Sequence, residues 1–286
     1  MPELPDLLYI RSYLEGVLGG RTIISAVVRK PVVLRNALGR PFQGGVSGLR
    51  ITEVRVRGPF LVLASDGVAD IVLHLMLAGT LHHTTANARS PGHLAVALQL
   101  DDGTRLCLCD ERSMAKLYLV PHGRYEAIPR FAGQGADILS KEFTPEVLRD
   151  LLRRNGRKQV RSFLTDQGIL SAVGNAYADE ILFHARLNPK TFVARLGDEG
   201  SALLYTAIRT VMERGIRAVR EAGQPIHVKV RGHMLVRNRK GEACPRCGTK
   251  IRREGVRGFD VFFCPTCQPP TRELFLDWSR VRHPQR

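Results

Sequence analysis

Three sets of residues in this chain carry chemistry by their type and spacing. Four cysteines fall into two pairs, Cys244-Pro245-Arg246-Cys247 and Cys264-Pro265-Thr266-Cys267, with sixteen residues between the pairs. Each pair can place two thiolates on one metal ion, and two pairs on facing knuckles complete the tetrahedron of structural Zn²⁺. Four thiolates leave no open coordination position, so a single such ion holds a fold together and hydrolyses nothing. Two disulfides are the alternative, disfavoured by paired spacing in a reducing compartment. The other two cysteines, Cys107 and Cys109, alternate with Leu106 and Leu108 and read as buried thiols on a strand.

The second set is Met1-Pro2-Glu3-Leu4-Pro5-Asp6. A proline in second place permits removal of Met1, which exposes a secondary amine. An α-amino group has a pKa near 8, so a useful fraction is neutral and nucleophilic at physiological pH. Condensation of a secondary amine with a sugar aldehyde gives an iminium ion directly, an electron sink for elimination, and Glu3 is placed to act as general acid or base. Read alone, the same residues also suit an ordinary chain start and a helix N-cap. The third set is Val173-Gly174-Asn175, at a turn into a helix over residues 176–185. A helix N-terminus offers free N–H groups to a phosphate, Gly174 permits close backbone approach, and the Asn175 amide can donate to phosphate oxygen. A capped helix with no ligand is the alternative.

The elements that must position these residues change character along the chain. A helix is expected over residues 6–18, stopped by Gly19-Gly20, with Leu7, Leu8, Ile10, Leu14 and Leu18 on one broad face. Strands follow at 51–57, 60–64, 71–77, 94–100 and 105–110, the last two flanking the hairpin signal Asp101-Asp102-Gly103. Strand-rich segments at this spacing suggest a β-sandwich. From Thr144 the pattern is helical: Thr144-Pro145-Glu146 caps a helix that stops at Asn155-Gly156, and further helices are expected over 158–164, 176–185 and 200–222. After Gln224-Pro225 the chain is polar and basic, with Gly255 and Gly258 suiting a hairpin turn between the cysteine pairs. The expected architecture is α+β in three parts: a β-rich domain over 1–125, a helical domain over 126–225, and a basic, metal-held module with its tail over 226–286. In the tail, Leu274, Phe275, Leu276 and Trp278 suggest a packed segment.

The chain has 286 residues, a net charge of +16 and 44% hydrophobic residues, which is a globular composition. The longest apolar runs, at 60–64 and 71–78, are strand-sized, so no membrane span is expected, and the acidic start gives no sign of a secretory signal. These readings point to a cytoplasmic protein. Excess Lys and Arg attract polyanions, nucleic acid above all. Genome composition can also raise Arg content, but residues 226–286 hold 14 Lys+Arg against 5 Asp+Glu, a net +9 in about a fifth of the chain. Clustering of that kind is an electrostatic footprint.

Taken together, Pro2-Glu3, the run Asp166-Gln167-Gly168 to Val173-Gly174-Asn175-Ala176-Tyr177-Ala178-Asp179-Glu180, and the cysteine pairs closing on Gln268 occur in one order and spacing. In this the chain resembles the formamidopyrimidine-DNA glycosylase/endonuclease VIII family over residues 1–268. His74-Leu75-Met76-Leu77-Ala78-Gly79-Thr80-Leu81 also resembles a strand-end segment that the family uses near the lesion. The resemblance implies an N-terminal β-sandwich with a helix, a helix–two-turn–helix unit, a zinc-bearing β-hairpin finger, and DNA held between two lobes. It implies a monomer acting on double-stranded DNA that contains damaged bases or abasic sites, nucleoid-associated in a bacterium, with one structural zinc on Cys244, Cys247, Cys264 and Cys267. It implies a glycosylase with abasic-site lyase activity. Pro2 attacks the sugar of a flipped nucleotide, Glu3 assists base departure and ring opening, and Asp6 stands where many members have Glu. By the same resemblance Asn175 and Gly174 meet phosphate, Arg161 is a further phosphate contact, and Asp179 and Glu180 are structural.

The chain departs from the family pattern in three places. Where many members carry Lys after an Arg-Gly pair, this chain reads Arg57-Gly58-Pro59, and proline offers neither charge nor donor. Arg57 lies close by. The finger's Arg position is Phe259, with Arg257 two residues earlier as a substitute. The segment that fills the lesion void reads Asp110-Glu111-Arg112-Ser113-Met114, so Arg112 is the candidate to face the orphan base, and Met76, Leu77 and Met114 are either wedges or core. These changes motivate a competing reading, a damaged-DNA or abasic-site binding protein with weakened catalysis. A zinc-finger regulator is a third and leaves Pro2-Glu3 unexplained.

Overall fold

The computed structural model describes residues 1–256 and 258–270. Its Cα packing separates two units: one of residues 1–139, 166–174 and 212–233, and one of residues 140–165, 175–211 and 234 onward. Each is therefore assembled from non-consecutive stretches of chain.

The first unit opens with α1 (Leu4–Leu18), which buries Leu4, Leu7, Ile10, Leu14 and Leu18. It starts two residues earlier than the apolar pattern suggests because Asp6 caps it: the Glu3 backbone N–H donates to Asp6 Oδ2 at 2.9 Å. Gly19 and Gly20 end it, Gly20 at φ +77°. Two sheets follow. One has the order β1 (Ile23–Val28), β7 (Leu94–Leu100), β8 (Thr104–Cys109), β6 (Thr80–Thr85). The other runs β2 (Leu34–Asn36), β9 (Lys116–Pro121), β5 (Ala69–His74), β4 (Phe60–Ser65), β3 (Ile51–Arg57). All neighbours are antiparallel except β2 and β9. A short helix, α2 (Phe42–Val46), lies between β2 and β3 in sequence.

Strands β4 and β5 are buried on both faces, which is why they read as unbroken apolar runs. Phe60, Val62, Val72 and Val120 pack on one side with Ile128 and Phe131, while Leu61, Leu63, Ile71 and Leu73 are fully buried in turn. Cys107 and Cys109 pack with Ala97, and burial raises both thiols, Cys109 to about 11, so they are inert. The Asp101-Asp102-Gly103 hairpin forms as expected, with Gly103 at φ +79° and Asp102 Oδ1 accepting from the Thr104 N–H. Strand β5 ends at His74, three residues short of the expected 71–77. Met76 sits at φ +50° and donates its N–H to His74 Nδ1, and Gly79 N–H closes the turn onto Leu75 O. Met76 and Leu77 thus lie on a turn. Arg57 and Phe60 pair across a two-residue β3–β4 turn, Gly58-Pro59, with Gly58 at φ +53°.

The second unit contains α3 (Pro145–Arg154), capped by Thr144, then α4 (Val160–Leu164), α5 (Asn175–His184) and the first part of α6 (Gly197–Ala222), whose residues from Met212 belong to the first unit. Helix α4 begins two residues later than expected and α5 one residue earlier. Strands β10 (Arg252–Val256) and β11 (Phe259–Phe263) form an antiparallel hairpin. Gly255 is not in its turn, as the spacing had suggested. It lies within β10 opposite Asp260, and Gly258, at φ +80°, is the turn glycine. Arg257 and the tail residues Leu274, Phe275, Leu276 and Trp278 lie outside the described residues. Among the described residues, no helix is long and apolar enough to cross a membrane.

Candidate active site and metal centre

The geometry at the chain start is fixed from several directions. The Leu4 N–H donates to Ala172 O at 3.1 Å, so the chain before α1 adds to the backbone of the 166–174 segment. Arg231 grips Asp6 with both terminal nitrogens, at 2.9 and 2.7 Å. Asp6 thereby serves the cap and an ion pair together, which needs a carboxylate and tolerates Asp for Glu. Glu3 is 6% exposed. Its Oε2 accepts from the Gly174 N–H at 3.2 Å, and a Cβ at Gly174 would stand 2.5 Å from Glu3 Cδ. Gly174 is therefore required by the buried carboxylate of Glu3, a reason that sequence reading did not give. The Gln167 side chain holds the intervening turn, accepting from Ala172 N–H and donating to Val173 O, each at 2.7 Å.

Pro2 is buried in the chain that bears Met1, and its nitrogen is then an amide. Loss of Met1 turns that nitrogen into an amine and vacates the half-buried space that Met1 occupies. The environment lowers basicity here: burial, then the neighbouring Lys229, brings the Met1 amine down to about 6, with Glu3 pulling the other way. Burial likewise pulls His74 down to about 4, leaving it neutral.

In the second unit, Asn175 opens α5. Its Oδ1 accepts from Arg161 Nη2 at 3.0 Å, which leaves the Nδ2 amide as the free donor. Arg161 corrects its expected role. It is 3% exposed, its Nε donates to Asp179 at 3.1 Å, and its Nη2 also reaches Asp260 O. A guanidinium so enclosed orients Asn175 and the hairpin and is not itself a phosphate ligand. Asp179 also pairs with Arg237 at 2.8 Å and accepts from the Phe262 N–H at 3.2 Å. Burial pushes its carboxyl up to about 6 against the pull of both guanidiniums. Glu180 accepts from the N–H groups of Leu235, Val236 and Arg237. Both acids of the α5 motif are structural, as expected.

The four thiols of Cys244, Cys247, Cys264 and Cys267 lie within 4.8 Å of one another. Cys244 Sγ and Cys267 Sγ are 3.9 Å apart, and Cys247 Sγ and Cys264 Sγ 3.5 Å. Four sulfurs at about 2.3 Å from a central ion lie about 3.8 Å apart, so the cluster fits tetrahedral zinc. All four cysteines are free of disulfides. Burial and the three neighbouring thiols push Cys267 up to about 12, so full ionisation calls for a cation. Phe183, Val236, Ile251 and Phe262 pack around Cys244 and Cys264. Gln268, fully buried, accepts from the Cys264 N–H and donates to Leu187 O.

The other expected contact residues are dispersed. Arg57 and Arg112 are exposed, and the loop bearing Arg112 is shaped by buried Asp110, which accepts from the N–H groups of Arg112 and Ala115. Leu77 is 53% exposed, while Met76 and Met114 are half-buried, so none of the three is core. Pro59 is buried in its turn and adds no cation there. Sequence reading missed Lys229, Arg231, His74 and Gln167. The basic alternation His227-Val228-Lys229-Val230-Arg231 was the signal for the first two, and His74 and Gln167 lay inside the quoted family-like runs without being given a role.

Comparison with known proteins agrees with this arrangement. Residues 1–117 match the formamidopyrimidine-DNA glycosylase N-terminal domain, residues 134–224 its H2TH domain, and residues 241–270 the zinc finger found in FPG and IleRS. The formamidopyrimidine-DNA glycosylase of Pelotomaculum thermopropionicum is 31% identical over 94% of this chain and 99% of its own length. That of a Nocardioides strain is 35% identical over 99% and 100%. The crystal structure of MutM (Fpg) from Thermus thermophilus superposes with a TM-score of 0.81 at 32% identity, covering 93% of this chain and 98% of that one. A complex of Lactococcus lactis Fpg with abasic-site DNA shares the fold, with a TM-score of 0.84 at 24% identity over 94% of this chain and the whole of that one. With its sandwich, its helical unit and its four-cysteine hairpin matched in order, the chain belongs to the formamidopyrimidine-DNA glycosylase family.

Proposed function

We propose that this chain is a base-excision DNA glycosylase with abasic-site lyase activity, acting through the Pro2 amine. The observation that carries the reading is the pair Pro2-Glu3, in which the carboxylate following the amine is buried on the Gly174 N–H. Once Met1 is gone, the Pro2 lone pair bonds to C1′ of a flipped, damaged nucleotide as the glycosidic C–N bond breaks. Glu3 moves the proton that accompanies base departure and opening of the C1′–O4′ bond. The iminium then acidifies C2′–H, and its loss expels the 3′ phosphate. Asn175 Nδ2, held by Arg161, is the phosphate donor of the second unit, and exposed Leu77 and Arg112 are the groups that replace the flipped nucleotide. Zinc on the four cysteines supplies folding energy to the hairpin and takes no part in bond making. Damaged or abasic duplex DNA is the substrate, and the protein works with the chromosome in the cytoplasm.

Buried, uncharged Pro59 favours the second reading, a binder of abasic DNA with reduced catalysis. Borohydride trapping separates the two. Protein verified by intact mass to start at Pro2 is expected to form a covalent adduct with abasic-site DNA, abolished in Pro2→Gly/Glu3→Gln. Processed protein that binds such DNA but gives no adduct on any lesion is a binder.

A further inference from the structure

We propose that Gln167 is a positioning residue for Glu3: its side-chain amide locks the peptide plane whose N–H holds the Glu3 carboxylate. This rests on the lyase reading above, in which Glu3 moves the proton that accompanies base departure.

Successive peptides lead from Ser171 to Gly174, and each is pinned. The one between Ser171 and Ala172 donates its N–H to Gln167 Oε1 at 2.7 Å. The next, between Ala172 and Val173, accepts from the Leu4 N–H at Ala172 O, 3.1 Å away. The last, between Val173 and Gly174, is held at both ends. Val173 O accepts from Gln167 Nε2 at 2.7 Å, and the Gly174 N–H donates to Glu3 Oε2 at 3.2 Å. This peptide is trans, so its C=O and N–H point in opposite directions, and fixing the oxygen aims the N–H. Gln167 thus grips the far side of the group that holds the acid.

The turn needs a lock because its own residues do not favour it. Ala172 sits at φ +60°, in the left-handed region that is costly for a residue with a Cβ. Gly174 is required for room beside Glu3, and the lack of a Cβ leaves its φ free in either sense. Without a bond at Val173 O the peptide can turn over and set its oxygen against the carboxylate, acceptor against acceptor. Glutamine suits the task. The Ala172 N–H only donates and Val173 O only accepts, so an amide satisfies both in one orientation, whereas a carboxylate satisfies only the first. The side chain works from a fixed base: Gln167 O accepts from the Gly135 N–H at 2.7 Å, Ile169 O from the Ala136 N–H at 2.9 Å, and Ala136 O from the Ser171 N–H at 2.9 Å. Gln167 carries no charge, so its effect on Glu3 is one of direction.

The test uses full-length, Met-processed protein and compares wild type with Gln167→Met, which loses both bonds, and Gln167→Glu. At neutral pH Gln167→Glu keeps the acceptor for Ala172 and loses the donor for Val173. Single-turnover excision at saturating protein is measured from pH 5 to 8 on the lesion duplex that wild type cuts fastest. Beside it run borohydride trapping on an abasic duplex, the Kd for that duplex, and hydrogen exchange of the peptides bearing Leu4 and Gly174. At pH 8 both variants are expected to excise on the order of 100-fold more slowly, with a smaller loss in trapping, an unchanged Kd and faster exchange at the turn. As pH falls the Gln167→Glu carboxyl takes a proton and regains an O–H donor. Its rate relative to wild type then climbs toward unity, while the Gln167→Met ratio stays flat. A Gln167→Glu ratio that also stays flat overturns the proposal. So does a loss confined to Kd, which marks a DNA contact, or equal losses in excision and trapping that track melting, which mark a scaffold residue. If wild type neither excises nor traps while exchange still quickens in Gln167→Met, the lyase reading falls and the hold of Gln167 on Glu3 stands.

Discussion

Gly174→Ala puts the smallest possible change against the buried acid of the site. The new Cβ would stand 2.5 Å from Glu3 Cδ and 2.7 Å from its Cγ and Oε1. Carbon atoms in contact settle at about 3.5 Å, so the carboxylate must retreat by roughly 1 Å. It cannot do so by moving its backbone, because the Glu3 N–H is tied to Asp6 and the Leu4 N–H to Ala172. The side chain must rotate and release the Gly174 N–H. A hydrogen bond to a charged group is worth about 1.5–3 kcal/mol, and the overpacking adds about 1–3 kcal/mol. The variant is therefore expected to lose roughly 2.5–6 kcal/mol of stability. A displacement of about 1 Å at a catalytic group costs on the order of 100-fold in rate. Base excision, which in the proposed mechanism depends on Glu3, is expected to fall by that factor in single-turnover assays on a lesion duplex, with a smaller loss on a preformed abasic site. Thermal melts supply the internal control: Glu3→Ala/Gly174→Ala should be more stable than Gly174→Ala alone, since the second truncation removes the colliding atoms. Melting and excision within twofold of wild type in Gly174→Ala would refute the argument.

Other expectations follow from the same geometry. Arg161→Met leaves the buried Asp179 with Arg237 as its remaining guanidinium and should cost about 3 kcal/mol in urea melts. Asn175→Ala takes an acceptor from the buried Arg161 guanidinium and should cost about 1–2 kcal/mol, and it should weaken abasic-DNA binding about tenfold with no change in salt slope, because a neutral donor releases no counterion. Asp70, fully buried, accepts from the N–H groups of Ser65 and Gly123 and from Tyr125 Oη, with His122 Nδ1 at 3.0 Å. Burial opposes its ionisation, but the bonds from Gly123, Tyr125 and Ser65 prevail and hold the carboxyl below its usual range. Its stabilisation is thus complete above the unfolded carboxyl value of about 4 and disappears as pH falls through the lower folded value. Melts between pH 2 and 7 should show this acid loss in wild type and a smaller one in Asp70→Asn. Metal analysis is expected to find about one zinc per chain, and chelation that removes it should abolish DNA binding while leaving the β-rich unit folded by circular dichroism.

Features set by local chemistry were legible in the sequence. The cysteine spacing, the Thr144 cap, the Gly19-Gly20 stop and the Asp101-Asp102-Gly103 hairpin each need only a few adjacent residues. Features set by distant partners were not. Strand β6 reads Thr-Leu-His-His-Thr-Thr and is half-buried at a sheet edge, so its pattern is weak. The apolar run past His74 ends early because an imidazole takes the Met76 N–H. Arg161 looked like a surface cation because Asp179 and the Asp260 carbonyl, which enclose it, lie 18 and 99 residues away. Lys229 meets a carbonyl 152 residues distant. For Arg161 and Lys229 the partner came from a stretch that no local window contains, whereas the His74–Met76 turn is local and was masked by the apolar run around it.

The Asp179 carboxylate has a consequence for how such a chain can vary. One anion satisfies two guanidiniums and the Phe262 amide, and through Arg161 it also sets the rotamer of Asn175. Neutralising it alone would leave two like charges facing each other, and deleting either cation would leave the buried anion with one guanidinium in place of two. Viable sequences must therefore change these positions in concert, which ties drift in the hairpin to drift at the start of α5.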